Sequence, residues 1–137
     1  MDIIKVKYEY PELDEFSVSV NTNKIEHIEK VVCEYYGVTM DKVKSSSRAK
    51  HDGTIHARHM IFFLAHNNTK LSVKYLGFRI GKRHHTTCLN GVTTIKDFLS
   101  INDYKTTTDY EAIKALLPFQ AKDYRPRRIL AVQFQAA

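Results

Sequence analysis

The chain has 137 residues, 43% of them hydrophobic, and a formal net charge of +6. That length can bury a core without covalent staples, so Cys33 and Cys88, the only cysteines, read as free core thiols in a reducing compartment. No apolar run approaches the roughly 20 residues of a membrane span, and no signal-peptide pattern is present, so a cytoplasmic protein with no membrane partner is expected.

The predicted elements begin with alternation. Ile4, Val6, Tyr8 and Tyr10 alternate with Lys5, Lys7 and Glu9, and Phe16, Val18 and Val20 alternate with Ser17, Ser19 and Asn21. Period two predicts short strands, paired as a hairpin, in an N-terminal extension over 1–23. From residue 24 the period becomes helical. Ile25, Ile28, Val32 and Tyr35 share a face, with Thr22 or Asn23 as cap and Gly37 as stop. Tyr35 and Tyr36 read as core residues rather than stacking platforms for bases. Thr39 to Lys44 forms one or two short turns, and SSSRAKHDGT (45–54) is a polar loop.

Thr54 then caps a helix to about Asn67 that is apolar nearly all round, hence the buried centre of a bundle. Ser72 caps a short helix ending at Gly81. A second helix over 84–101 carries Leu89, Val92, Ile95 and Leu99 on one face, and a last one runs from Thr108 to Leu117, stopped by Pro118. The expected fold is mostly α: a helical domain over 24–117 and a tail over 118–137, where Leu130, Val132 and Phe134 alternate as a further strand.

The charge is unevenly placed. Residues 1–23 carry a net charge of −3, whereas 45–96 hold nine Lys/Arg against one acid, Asp52, with six of the seven histidines. A solvated face usually mixes signs, so this stretch suggests a polyanionic partner. A capped short helix, a glycine turn and a longer helix with a basic start form the layout of a helix-turn-helix. Lys82 and Arg83 would meet phosphates or base edges, Thr86 and Thr87 would offer hydroxyls, and the first-turn N–H groups would face the nucleic-acid backbone. An ordinary helical hairpin with a basic corner fits the same pattern.

Other chemistry finds little support. His56, His59, His66, His84 and His85 lack a nearby Cys or acid to complete a metal set. His85 has no neighbouring carboxylate or nucleophile that would make it a catalytic base. Gly77 to Arg83 has one residue too few, and no Ser/Thr, for a phosphate loop. No enzyme activity, metal or cofactor is expected.

The stretch Ile80-Gly81-Lys82-Arg83-His84-His85-Thr86-Thr87-Cys88 resembles the C-terminal DNA-binding domain of the bacterial replication initiator DnaA. There the signature is a phenylalanine, two glycines and Arg-Asp-His-Thr-Thr-Val. The likeness extends to VVCEYYGVTMDKV, SSSRAK and HARHMIFFLAHNNTKLSVKYLG, covering about 24–101. It implies a DnaA C-terminal, Trp-repressor-like helical bundle. It also implies major-groove contacts by Arg83, His85, Thr86 and Thr87, a backbone or base contact by Arg58, and a minor-groove arginine equivalent to Arg48 or Lys50. His59 stands where the family usually has glutamine, His84 where it has aspartate, and Lys82 where it has the second glycine. The expected function is sequence-specific binding of double-stranded DNA, related to replication-origin recognition. The alternative is a protein-interaction module that kept the fold and binds replication proteins.

Overall fold

The computed structural model describes residues 15–45 and 53–124. Within them the chain forms six helices: α1 (Glu15–Tyr36), α2 (Met40–Lys44), α3 (Thr54–Asn68), α4 (Val73–Arg79), α5 (His85–Ser100) and α6 (Tyr104–Leu116). Among these residues no helix is long and apolar enough to cross a membrane.

α3 is the axis of the bundle. Met60 to Ala65 are all buried, as are Ala57, Arg58 and Asn68, and α1, α2, α4 and α5 pack around it. Phe62 and Phe63 are fully buried, and each such side chain contributes roughly 1.5–3 kcal/mol of transfer free energy. The prediction of a buried central helix, apolar nearly all round, is met. Its cap differs: Gly53, at φ +82°, is the N-cap, and Thr54 is the first helical residue. Only glycine adopts that left-handed backbone cheaply.

The start of α1 corrects the strand predicted over Phe16 to Val20. Val18, Asn21, Thr22, Ile25, Ile28, Glu29 and Val32 are buried, a spacing of three and four that continues without a break through residue 24. Alternation over a few residues is also compatible with this longer period. Asn21 holds the helix in place, donating to the Ser17 carbonyl at 2.8 Å and accepting from the Lys70 backbone N–H at 3.0 Å. The earlier half of the predicted hairpin and the strand over 130–134 lie outside the described residues. Gly37, at φ +69°, ends α1, and the Val38 N–H reaches back to the Cys33 carbonyl.

Tyr35 is also corrected. It is 36% exposed, its hydroxyl donating to Asp109 at 2.7 Å, while half-buried Tyr36 donates to the other oxygen of the same carboxylate at 2.9 Å. A hydroxyl near water with a carboxylate in reach suits an aromatic ring at the rim better than one in the core. α6 begins at Tyr104, earlier than predicted, because Asp103 caps it through the Thr106 N–H. Both cysteines are free and buried, and burial pushes the thiols up to about 11 for Cys33 and about 12 for Cys88. Residues 117–124 fold back on the bundle. Leu117 and Ala121 are buried, and the Lys122 N–H donates to Asn68 of α3.

One ion pair joins the first helix of the predicted DNA motif to the scaffold. Arg79, at the end of α4, makes a two-pronged contact with Glu29 of α1 at 2.7 and 2.8 Å, with both side chains under a tenth exposed. Removing Glu29 takes the paired carboxylate away from a guanidinium whose side chain is only 8% exposed. Glu29→Ala should therefore lower the unfolding free energy by about 3 kcal/mol in a urea titration with unchanged slope. A loss below about 1 kcal/mol would show that water already screens the pair.

Candidate nucleic-acid interface

The turn between α4 and α5 is built from backbone constraints. The Lys82 N–H donates to the Phe78 carbonyl at 2.8 Å and the Arg83 N–H to the Gly77 carbonyl at 2.7 Å. Gly81 and Lys82 both take left-handed backbone, at φ +77° and +56°. Gly77 leaves room for the returning chain, since a β-carbon there would lie 2.7 Å from the Arg83 carbonyl oxygen. Lys82 thus occupies, with a side chain, a conformation suited to the glycine found there in the resembling family.

α5 presents a polarised surface. Cys88, Gly91, Val92, Ile95 and Leu99 face the core. Lys82, His84, His85, Thr86, Thr87, Leu89 and Asn90 are exposed. Gly91 allows α5 to cross α3 closely, because a β-carbon would meet Phe62 and His59 at 3.0 and 3.1 Å. His84 is the N-cap. Its Nδ1 accepts from the Thr86 N–H at 3.3 Å and sits 2.8 Å from the Thr86 hydroxyl. An accepting Nδ1 leaves the ring proton on Nε2 as a donor. The His84 and His85 rings lie against each other, centroids 4.2 Å apart.

The two motif arginines are held by carbonyls. Arg58, buried on α3, donates through Nε to Val43 O at 2.8 Å and through Nη2 to Ser45 O at 3.3 Å. Arg83 donates through Nη1 to Ile80 O at 2.6 Å and Lys44 O at 3.3 Å, and through Nη2 to Ser45 O at 2.5 Å. Burial and the adjacent Arg83 charge bring the Arg58 guanidinium below its usual value, and burial does the same to Arg83. Sequence spacing gave no sign that both would converge on one backbone segment, because the acceptors are carbonyls that every residue carries.

The remaining predicted residues divide. Arg48 and Lys50 lie outside the described residues. His59 is half-buried between α3 and α5 rather than on the exposed row, and desolvation, with His56 and Arg58 adding, lowers it to about 4. Among the described residues no group of three His, Cys, Asp or Glu side chains is placed to hold a metal ion. The arrangement offers an exposed hydrogen-bonding row on α5 beneath a basic turn, suited to a polyanion with readable edges.

Residues 25–95 match the family described as bacterial dnaA protein helix-turn-helix. The chain is 32% identical over 76 residues to the chromosomal replication initiator protein DnaA of Flavobacterium psychrophilum, covering 56% of this chain and 16% of that one. It is 35% identical over 79 residues to the Streptococcus mutans protein of the same name, covering 58% and 17%. It is 32% identical over 98 residues to that of Brucella abortus, covering 72% and 19%. The chain therefore spans less than a fifth of the length of these relatives. No solved structure matches it.

Two measurements check the site's construction. A side chain in left-handed backbone costs roughly 1–2 kcal/mol, part of which glycine returns as unfolded-state freedom. Lys82→Gly should accordingly raise stability by about 0.5–1 kcal/mol, and a loss of stability would contradict the assigned turn. His59 is neutral when folded and protonates more readily when unfolded. Its contribution is complete above pH 6.5 and is lost as pH falls toward about 4. The melting temperature should drop across that window, and His59→Gln should flatten the drop. An unchanged pH profile in that variant would place His59 in water.

Proposed function

The chain belongs to the bacterial DnaA helix-turn-helix family, and from that premise we propose that it binds double-stranded DNA, sequence-specifically, with the N-terminal turn of α5 in the major groove. The observation that carries this reading is the exposed row His84, His85, Thr86, Thr87 and Asn90, which follows a cationic turn and stands on a fully buried scaffold. Lys82 supplies a phosphate contact, and the first-turn N–H groups of α5 add partial positive charge. His85 and Thr86 read base edges and thymine methyls. Arg48 or Lys50 contributes a minor-groove contact, and Arg58 stands behind them as a buried cation. Half or more of the contacts in such interfaces go to phosphate, so binding is salt-dependent, while the few base contacts select the site. Membership of the family supports reading the preferred site as one related to a replication origin.

The His84 position tunes this recognition. Its Nε2–H donor suits guanine N7 or O6, or a phosphate, where an aspartate would accept from a cytosine amino group. Aspartate is also a good N-cap, so His84→Asp preserves the helix start.

Selection from randomised duplex DNA, followed by titration at several salt concentrations, tests the reading. A preferred site should emerge, and the logarithm of affinity should fall linearly with the logarithm of salt. No duplex shift at micromolar protein would overturn the proposal in favour of the protein-interaction alternative. His84→Asp should melt within a few degrees of wild type yet select a different base at one position. Identical selected sites would remove His84 from the reading surface.

A further inference from the structure

α2 is five residues long, and its carbonyl end is fastened from two directions. Arg58 reaches Val43 O and Ser45 O from α3, and Arg83 reaches Lys44 O and Ser45 O from the helix-turn-helix turn. Gly81 closes the contact, since a β-carbon there would overlap the Lys44 carbonyl oxygen. This packing carries Lys44 to the cationic turn. Lys44 is exposed, and among the described residues no hydrogen bond or ion pair engages its ammonium group. No acid occurs from residue 80 through 96, so a polyanion approaching the start of α5 meets no opposing charge from this stretch.

We propose that Lys44 is a phosphate contact, brought onto the DNA-facing surface by the end of α2, and that Arg83 is the positioning residue that holds it there. Arg83 has five N–H donors and makes three contacts with carbonyl oxygens, joining α2 to the turn that precedes α5. It acts through the backbone of residues 44 and 45, setting the spacing between Lys44 and the first turn of α5. A phosphate contact needs that spacing to match the DNA backbone, and it carries no sequence information of its own. The proposal rests on the duplex-binding reading above.

The test titrates wild type, Lys44→Ala, Lys122→Ala, Arg83→Gln and the Lys44→Ala/Arg83→Gln double variant with two duplexes, one carrying the selected site and one scrambled. Lys122, exposed beside the far end of α3, is the control. Lys44→Ala should weaken both duplexes by the same factor and make the salt slope shallower by about one. Its melting temperature should be that of wild type, because its backbone carbonyl remains. Lys122→Ala should leave both affinities unchanged. In the Arg83→Gln background, Lys44→Ala should shift the slope by less than half as much. Should Arg83→Gln fail to fold, Arg83→Lys takes its place, since a single ammonium group lacks the planar fork that spans these carbonyls. An unchanged slope in Lys44→Ala, with wild-type binding intact, overturns the phosphate contact. Equal losses in both backgrounds overturn the positioning role. Absence of wild-type duplex binding is a different result, which removes the duplex reading itself.

Discussion

The structure depends on backbone carbonyls at the end of α2 being satisfied by two arginines from different helices. A short helix leaves its last carbonyls without intrahelical partners, and its C-terminal end carries partial negative charge. Arg58 and Arg83 answer both conditions, sharing the Ser45 carbonyl. The mutual repulsion of two cations is tolerable there because each faces oxygen dipoles. As a result α2, the core helix α3 and the turn before α5 form one rigid corner, and the cationic surface is built on that corner.

The same corner explains how Lys82 can occupy left-handed backbone. The conformation is imposed from both sides, by the Gly77 and Phe78 carbonyls and by the contact between Gly81 and Lys44. Strain at one residue persists when its surroundings over-determine it, and such strain gathers at functional sites. A lysine there adds a cation at the entrance to α5, trading some stability for charge where the resembling family has glycine.

Much of the helical bundle was legible because burial writes a period into the chain. α3 is recognisable as a central helix from its unbroken apolar composition, α5 from its one-sided stripe, and the turn from Gly81 and Ser72. The start of α1 was not legible, because Phe16, Val18 and Val20 fit period two locally while the deciding positions, Asn21, Thr22 and Glu29, are polar residues buried by tertiary contacts. The exposed row on α5 followed from the motif, whereas the engagement of Arg58 and Arg83 did not. Arginine in a basic stretch looks the same whether it faces solvent or a carbonyl. His59 shows the converse: a polar residue beside the motif is drawn into a helix crossing because Gly91 removes the side chain that would have kept α5 away.

The all-round burial of α3 also bears on how the chain avoids self-association. Met60 to Ala65 is a six-residue uncharged run containing two phenylalanines, and a segment of that kind becomes sticky when exposed. Of the covering helices, α1 is anchored by polar contacts, Glu29 with Arg79 and Asn21 with Lys70, whereas α5 packs through its apolar face, so any opening that frees one of them uncovers the run from one side. Arg58 sits just upstream as a flanking cation, and charges in that position discourage stacking of like segments. The residue that secures the corner in the folded protein is thus also a gatekeeper for the chain before it folds.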